Sequence, residues 1–324
     1  MTDLNRAKMA YELFTKYKNN PILTPEMWPY PVNAVMNPAA IQFDGETLLL
    51  IRVEDMKGFS HLTAARSKDG FTNWKIDEKP TMMADHNSRE ERWGLEDPRI
   101  IWLEEQKQYA ITYTSFSEGG PTVSLAITKN FKTFARLGTL LPPEDKDACL
   151  FPRRFKGRFA MIHRPIVRGE AHIWLSFSPD LKHWGDHLDI IKTRHAYWDC
   201  HRVGLACQPI ETEHGWLIFY HGVRNTTAGA IYRMGVALLD LERPWRVLRR
   251  GDEWVLSPRE NYEMIGDVAT VVFPTGVTIN KEADLLNIYY GAADCTVAVA
   301  TAPYSKVIEY ILSCPEQHEH DDRP

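Results

Sequence analysis

The carboxylate of Asp97 is the group in this sequence best placed for acid–base chemistry. It lies in the stretch Gly94-Leu95-Glu96-Asp97-Pro98-Arg99, directly before a proline. Because proline donates no backbone hydrogen bond, it begins a strand or lies at a sheet edge, and the acid before it is expected at a strand end. The alternative explanation is that an Asp before Pro simply orders a turn.

Cationic side chains at the ends of other predicted strands indicate what this acid faces. They are Arg52, Arg154, Arg164, Arg202 and His221, and the polar residues Asn37 and Asp294 occupy comparable positions. Several guanidinium groups directed into one cavity are costly unless an anion joins them, and their planar fork suits phosphate or carboxylate. We therefore predict an anion-binding cavity beside Asp97.

Alternatives remain open for the histidines and for three aromatic residues. His163 and His221 could be hydrogen-bonded core residues or metal ligands. We expect no metal, because no His-x-x-His or His-Glu-x-x-His spacing occurs and arginines repel a cation. Trp93, Tyr197 and Trp198 fall between predicted strands, where an exposed ring could stack on a sugar.

These residues belong to a repeat that runs through nearly the whole chain. Five prolines, at positions 38, 98, 152, 209 and 274, lie 60, 54, 57 and 65 residues apart by subtraction. Each opens a set of three short β-rich runs separated by turn residues, which is typical of antiparallel hairpins. Such repetition predicts an all-β fold, a five-bladed β-propeller, in preference to a β-sandwich or a β-helix. The inner strand ends of a propeller converge on one mouth of its channel.

The chain is expected to form a single large domain with short additions at both ends. Apolar residues three or four apart in residues 3–17 predict a short N-terminal helical extension. This helix would pack on a blade or join the subunits of a homo-oligomer. We expect the helix and an entry loop in residues 1–30, the propeller in 31–312 and a polar tail in 313–324.

Composition excludes several classes of partner. The net charge of -5 is spread without long blocks of one sign, so neither nucleic acid nor an anionic membrane surface is predicted to bind. The 5 cysteines are odd in number and scattered, which favours reduced thiols. The first 20 residues lack the apolar core of a signal peptide, and no run of about 18 apolar residues occurs. These features predict a cytoplasmic protein.

Six motifs, in this order, resemble glycoside hydrolase family 130, the β-mannoside phosphorylases. They are Gly94 to Arg99, Phe151-Pro152 with Arg154, His163-Arg164-Pro165, Tyr220-His221-Gly222-Val223, Val272-Phe273-Pro274 and Tyr290-Gly291-Ala292-Ala293-Asp294. The resemblance extends from Asn37 to about Thr301. Each motif is weak alone, but six in series are specific.

The resemblance implies a five-bladed propeller that catalyses inverting phosphorolysis. Inorganic phosphate, a co-substrate, would attack the anomeric carbon of a non-reducing β-mannosyl unit and give α-mannose 1-phosphate, with no cofactor. Asp97 would be the acid, passing its proton through the 3-hydroxyl of the sugar. By motif, the phosphate ligands would be Arg154, Arg164, His221 and Tyr232, and the sugar contacts Asn37, Arg52, Arg202 and Asp294. Arg202 stands where many relatives carry lysine.

The implied reaction agrees with the presence of a single acid, Asp97, that has an obvious catalytic position among the matched motifs. An inverting hydrolase needs a second carboxylate as base, whereas phosphate is already anionic and needs cations. The alternatives are a mannoside hydrolase or transglycosylase with the same fold, and a non-catalytic sugar-binding propeller. The segment 53–61 resembles relatives acting on β-1,2-mannobiose or β-1,2-oligomannan more than those acting on β-1,4-mannooligosaccharides.

Overall fold

A computed structural model describes residues 12–317, which form a ring of antiparallel sheets. The predicted all-β, five-bladed propeller is confirmed. Each blade begins with a strand beside the central channel and continues outward through strands that pair with their sequence neighbours. Two-residue hairpins such as Asp44-Gly45, with φ of 52° and 74°, connect the strands because Asp and Gly tolerate the positive φ that these turns require.

The first two blades contain eight strands. Blade 1 consists of β2 (Ala34–Phe43), β3 (Glu46–Glu54), β4 (Ser60–Ser67) and β5 (Lys75–Ile76). Blade 2 consists of β6 (Gly94–Leu103), β7 (Gln108–Phe116), β8 (Thr122–Thr128) and β9 (Ala135–Leu141). A parallel contact between Ser60 and Gly94 joins the two blades into one continuous sheet.

The remaining three blades follow in the same order around the ring. Blade 3 consists of β10 (Asp145–Leu150), β11 (Phe159–Val167), β12 (Glu170–Ala171), β13 (Ile173–Ser178) and β14 (Gly185–Ile191). Blade 4 consists of β15 (Arg202–Leu205), β16 (Ile210–Thr212), β17 (Gly215–Thr226), β18 (Gly229–Leu239) and β19 (Val247–Arg250). Blade 5 consists of β20 (Val272–Asn280), β21 (Leu285–Ala292), β22 (Thr296–Pro303) and β1 (Thr15–Lys16).

The outermost strand of blade 5 comes from the N-terminal end of the described chain. Thr15 pairs with Thr301, and Lys16 pairs with Ala300. The predicted helix over residues 3–17 is wrong for residues 12–17, which are bends and strand, and residues 3–11 lie outside the described part of the chain. The edge of β22 offers unpaired backbone groups, and pairing with them outweighs the helical spacing of the apolar side chains.

Helices contribute little to residues 12–317. The elements are a single 3₁₀ turn (Pro25–Met27), α1 (Asn261–Met264) and α2 (Tyr304–Ser313). Val307 and Ile311 of α2 are buried against the outer strands of blades 4 and 5. None of the helices in this range has the length and apolar character that crossing a membrane would need.

Apolar side chains fill the spaces between adjacent blades. Side chains alternate between the two faces of a strand, so Leu48 and Leu50 of β3 pack toward blade 2, whereas Leu49 and Ile51 pack toward blade 5. The other three spaces contain equivalent clusters. Every blade is therefore buried on both faces, and the polar groups of the channel are held on a rigid ring.

The innermost strands of the first three blades share a backbone feature at the mouth of the channel. In β2, β6 and β10 the pairing register shifts at a bulge. The residues at these bulges are Asn37, Asp97 and Asp147, and their φ angles are 49°, 48° and 54°. A bulge redirects a side chain, and Asn and Asp tolerate positive φ better than most residues. Each of these blades thus presents one polar side chain at an equivalent position.

Candidate active site

A cavity of about 240 Å³ opens at this mouth of the channel. Its lining residues are Asn37, Arg52, Asp97, Lys146, Arg164, Ile166, Arg202, His221, Tyr232, Val268, Val271, Phe273 and Asp294. Eight of the nine site residues predicted from the sequence are in this set, and only Arg154 is missing. The cavity therefore gathers side chains from all five blades.

Asp97 is the most tightly held acid of the cavity. The side chain is 3% exposed, and its Oδ1 accepts hydrogen bonds from Asn37 Nδ2 at 2.7 Å and from Arg52 Nη1 at 3.2 Å. Arg52 also contacts Glu96 Oε1 at 3.0 Å through its Nη2. Lys146 Nζ lies 3.9 Å from Asp97 Oδ2. Two hydrogen bonds from blade 1 thus fix the position of this carboxylate, and a cation of blade 3 lies close to it.

The two acids that line the cavity have opposite protonation tendencies. Burial would raise the pKa of Asp97, but Arg52, Lys146 and Arg99 outweigh burial and hold that pKa below its usual value. Burial raises the pKa of Asp294 to about 6, since Arg52 only partly compensates for the lost solvation and the charge of Asp97 adds to the rise. The cations around Asp97 therefore favour its carboxylate form.

The opposite side of the cavity is basic and is organised by the buried Asp147. Its Oδ2 accepts a hydrogen bond from Arg164 Nε at 2.6 Å, and Arg99 Nη2 lies 3.5 Å from Oδ1. Within residues 12–317 the two terminal nitrogens of the Arg164 guanidinium form no hydrogen bond, so they can donate to a ligand. Because Asp147 is fully buried, it fixes Arg164 without being accessible itself.

His221 is an uncharged member of this side. Burial lowers its pKa to about 3, although Asp147 opposes the shift from 3.6 Å. Its ring contacts Phe273 at a centroid distance of 4.7 Å and Tyr232 at 6.0 Å. The imidazole Nδ1 is buried and has no partner in the described chain. Arg202 is exposed at the start of β15 and completes the basic side.

Arg154 does not belong to the cavity, and that prediction is wrong. Its Nε pairs with Glu105 Oε2 at 2.8 Å, and its Nη1 donates to the carbonyl oxygens of Gly157 and Pro179. The guanidinium carbon lies 3.6 Å from the centre of the Phe159 ring. Arg154 therefore ties together turns of blades 2 and 3.

The cause of the error is the alignment of the third repeat. Pro38 and Pro98 lie inside their inner strands directly after the bulge residues, whereas Pro152 follows the end of β10. The residue of blade 3 that corresponds to Asp97 is Asp147, and alanine rather than proline follows it. The sequence repeat of proline is thus offset from the structural repeat in this blade.

His163 is a hydrogen-bonded core residue rather than a ligand of the cavity. Its Nδ1 is 2.6 Å from Asp145 Oδ2, and its Nε2 is 2.6 Å from Ser176 Oγ. Asp145 Oδ1 also accepts the backbone N–H of Arg164 at 3.1 Å. The Asp145–His163 pair therefore supports the strand segment that carries Arg164.

The aromatic residues considered as sugar platforms divide into two groups. Trp198 is buried and stacks on Tyr220 at a centroid distance of 5.7 Å, which makes it part of the blade core. Trp93, packed on Phe116, and Tyr197 are exposed. Neither of the exposed rings lines the cavity.

Sequence reasoning missed Lys146 and the apolar side of the cavity. The apolar members are Ile166, Val268, Val271 and Phe273. Lys146 could have been recognised, because Asp145-Lys146-Asp147 precedes an apolar strand just as Leu95-Glu96-Asp97 does. Ile166, near the end of β11, and Val268, in the loop before β20, have no sequence signal of their proximity to the channel.

Fold and cavity define a β-propeller protein with one tightly held carboxylate opposite a cluster of cations. A family model described as beta-1,4-mannooligosaccharide phosphorylase matches residues 10–312. The chain belongs to this family, glycoside hydrolase family 130.

Named relatives agree with this membership. The chain is 37% identical to a 1,2-beta-oligomannan phosphorylase of Thermoanaerobacter sp., over 82% of this chain and 89% of the relative. It is 33% identical to a beta-1,4-mannooligosaccharide phosphorylase of Ruminococcus albus, over 93% and 92%. The solved beta-1,2-mannobiose complex of the Listeria innocua beta-1,2-mannobiose phosphorylase superposes with a TM-score of 0.84 and 30% identity, covering 92% of this chain and 99% of that one.

Proposed function

We propose that this protein is an inverting β-mannoside phosphorylase that cleaves a non-reducing-end β-mannosyl linkage and releases α-mannose 1-phosphate. The observation that carries the proposal is the composition of the cavity, in which the carboxylate of Asp97 lies opposite Lys146, Arg164 and Arg202. The names of the relatives support the same reaction class.

In the proposed mechanism, the cations replace the base that a hydrolase would need. Phosphate carries its own negative charge, and Arg164, with His221 and Tyr232, would hold it against the anomeric carbon. Fixing two reactants in line gives a large entropic advantage, and cations directed at the transferring phosphate stabilise charge in the transition state.

Asp97 supplies the proton in this mechanism. The carboxyl would protonate the glycosidic oxygen through a hydroxyl of the bound sugar, as the C1–O bond breaks and the bond from C1 to phosphate forms. Asn37 and Arg52 contact Asp97 and line the same cavity, so they would position both the acid and the sugar. Arg202 and Asp294 would contact the sugar from the other side of the cavity.

For the linkage, we propose a β-1,2-mannoside. Support comes from the Thermoanaerobacter relative and the Listeria structure, both named for β-1,2-linked substrates, although the Ruminococcus relative is named for β-1,4-linked ones. The apolar residues that line the cavity include Ile166, near the end of β11, and Val268, in the loop before β20, and these two would contact the acceptor sugar.

The test is a product assay with a panel of β-1,2- and β-1,4-mannosides, with and without inorganic phosphate. We expect mannose 1-phosphate only when phosphate is present, and nuclear magnetic resonance should identify the α anomer. Faster turnover of β-1,2-mannobiose or β-1,2-oligomannan is the expected ranking. Release of free mannose at a rate independent of phosphate would instead identify a hydrolase, and a β-1,4 preference would overturn the linkage assignment alone.

A further inference from the structure

Three arginine side chains beside the β17–β18 hairpin of blade 4 form a second group of cations. They are Arg224 of β17, Arg233 of β18 and Arg259 in the loop before α1. The residues that line the cavity do not include any of the three. We call these three residues the blade 4 arginine cluster.

The strand register places two of these arginines side by side. In the antiparallel pair of β17 and β18, Gly222 lies opposite Arg233. Arg224 lies opposite Ile231. Directly opposite residues share a face of the sheet, and so do residues two apart along a strand. Arg224 and Arg233 are therefore diagonal neighbours on one face, about 7–8 Å apart.

This face of the hairpin is not the one that borders the cavity. Neighbouring residues of a strand point to opposite faces, so Arg233 points away from the cavity that Tyr232 lines. On its own face, the Arg233 guanidinium carbon lies 4.2 Å from the centre of a ring of Trp254. The blade 4 arginine cluster is therefore separate from the proposed active site, although β18 carries residues of both.

Arg233 has no counter-ion within residues 12–317. Its side chain is partly buried, it forms no ion pair in that range, and its buried Nε has no hydrogen-bond partner. The contact with Trp254 does not replace these bonds, because an aromatic ring attracts the cation but offers no oxygen or nitrogen acceptor. Removing a charged donor from water without giving it an acceptor is costly. The position is therefore favourable for an anion that supplies acceptors.

Other charges in the described chain do not neutralise the cluster. Glu12 Oε1 pairs with Arg259 Nε at 3.0 Å. Burial lowers the pKa of Arg233, Arg224 and Arg259 lower it further, and Glu12 only opposes these effects. Arg224 is exposed and forms no ion pair within residues 12–317. Three guanidinium groups thus share a single carboxylate in this range.

Neighbouring arginines show that this lack of pairing is particular to the cluster. Arg194 and Arg250 both donate to the buried Asp199 at 2.8 Å. Arg243, at a turn of blade 4, lies 3.4 Å from Asp240. Arginines near this blade are therefore paired with acids of the chain elsewhere, and Arg233 differs from them in having none within residues 12–317.

We propose that Arg224, Arg233 and Arg259 form a second anion site, which binds a phosphate group of either inorganic phosphate or a sugar phosphate. Guanidinium groups bind oxyanions through pairs of parallel N–H donors. A phosphate group has enough oxygens to accept from three guanidinium groups at once, whereas a carboxylate has only two. The contact with Trp254 holds Arg233 in place for the ligand. This inference goes beyond the proposed function and does not depend on it.

Equilibrium dialysis with radiolabelled inorganic phosphate tests the proposal by counting sites. Wild type should bind two phosphate ions per chain, one in the cavity and one at the cluster. Arg164→Ala weakens the cavity site and should leave one ion bound with unchanged affinity. In that background, Arg233→Met should weaken the remaining binding by about tenfold or more, because charge-assisted hydrogen bonds are lost.

Matched variants separate the loss of a ligand from a loss of structure. Arg233→Lys keeps the charge and should retain most of the affinity. Arg243→Met removes an arginine of the same blade that already has an acidic partner, and it should leave phosphate binding unchanged. Arg224→Met changes an exposed side chain, so it provides a second test if Arg233→Met does not fold. Arg224→Met should weaken phosphate binding severalfold in the Arg164→Ala background.

Competition in the Arg164→Ala background distinguishes the two sources of the phosphate group. If α-mannose 1-phosphate displaces the labelled ion at a lower concentration than unlabelled phosphate does, the site is one for sugar phosphates. If it needs a higher concentration, the site is one for the free ion. Acetate at the same concentrations should displace little. Equal displacement by acetate would overturn the proposal, because the cluster would then attract any anion.

Failure of this inference differs from failure of the proposed function. One phosphate ion bound by wild type and none by Arg164→Ala would overturn the second site and leave the proposed phosphorolysis intact. Undiminished binding in the Arg164→Ala, Arg233→Met double variant would also overturn it. Phosphate bound at the cluster of a protein that forms no mannose 1-phosphate would contradict the proposed function alone.

Discussion

The cavity has two walls that differ in how fully their cationic donors are paired. In the acidic wall, formed by Asn37, Arg52 and Asp97 of blades 1 and 2, each residue contacts another member of the wall. In the basic wall, formed by Lys146, Arg164, Arg202 and His221 of blades 3 and 4, donors remain unused within the described chain. The first wall is held together by its own contacts, whereas the second keeps donors available for the anion that we propose it binds.

The largest effect is expected from the centre of the acidic wall. Asp97→Asn keeps the shape of the side chain but removes the proton donor, so kcat should fall by about a hundredfold to ten-thousandfold, the usual range for loss of a general acid. Steady-state kinetics measure the fall, and calorimetry with the mannoside should show binding intact. Near-normal turnover would remove Asp97 from its proposed role.

A second substitution lies in the basic wall and should change the KM for phosphate but not the KM for the mannoside. Arg164→Ala removes charge-assisted hydrogen bonds worth about 1.5–3 kcal/mol each, so the KM for phosphate should rise roughly tenfold to a hundredfold. The KM for the mannoside should change little. Arg164→Lys is the control, because it keeps the charge but not the fork that pairs with Asp147. An unchanged phosphate dependence in Arg164→Ala would contradict the division between the walls.

Asp294 lines the cavity outside both walls, and it allows the cost of burying a carboxylate there to be measured as stability. Its pKa is raised to about 6, so the unfavourable charge is absent below the ordinary pKa of about 4, grows between pH 4 and 6, and is complete above pH 6. Asp294→Asn should therefore stabilise the protein at pH 7 by at most about 3 kcal/mol. Thermal unfolding at pH 7 and pH 4.5 measures this, and the gain should shrink at the lower pH. A destabilised variant at pH 7 would show that Arg52 outweighs burial.

The smallest effect is expected for Arg154, which lies outside both walls. Arg154→Ala should leave the KM for phosphate within about twofold of wild type, and the loss of its partly exposed pair with Glu105 should cost less than about 1 kcal/mol of stability. Parallel kinetics of Arg154→Ala and Arg164→Ala provide a direct contrast. A tenfold increase in the phosphate KM for Arg154→Ala would return that residue to the site.

The repeat and most of the site could be predicted from sequence because they depend on local patterns. Alternating apolar runs and turn residues determine the blades, and polar residues at strand ends, such as Arg52 and His221, stand out against the apolar strands. Proline marked the bulge correctly in blades 1 and 2, since it directly follows Asn37 and Asp97. Once the strands form a ring, these positions bring the polar side chains together at the mouth of the channel.

Two errors arose where long-range structure decides the outcome. In blade 3 the bulge residue Asp147 has no proline after it, so a proline further along suggested the wrong strand end and led to Arg154. At the N-terminal end of the described chain, Thr15 and Lys16 adopt the conformation of the strand that they complete, and their partners are nearly 300 residues away. Neither the bulge at Asp147 nor the strand at Thr15 and Lys16 has a signal in the neighbouring sequence, because each depends on the backbone that lies next to it in the folded ring.

The left-handed bulge that recurs in β2, β6 and β10 also bears on how such a protein can diversify. The backbone at these three places dictates where a side chain goes, and the apolar layers between blades do not depend on its identity. Exchanging amide for acid at one of them, as Asn37 and Asp97 already differ, alters reactivity with little disturbance of the scaffold. The ring thus has three equivalent backbone positions at which a single substitution could change the chemistry of the cavity.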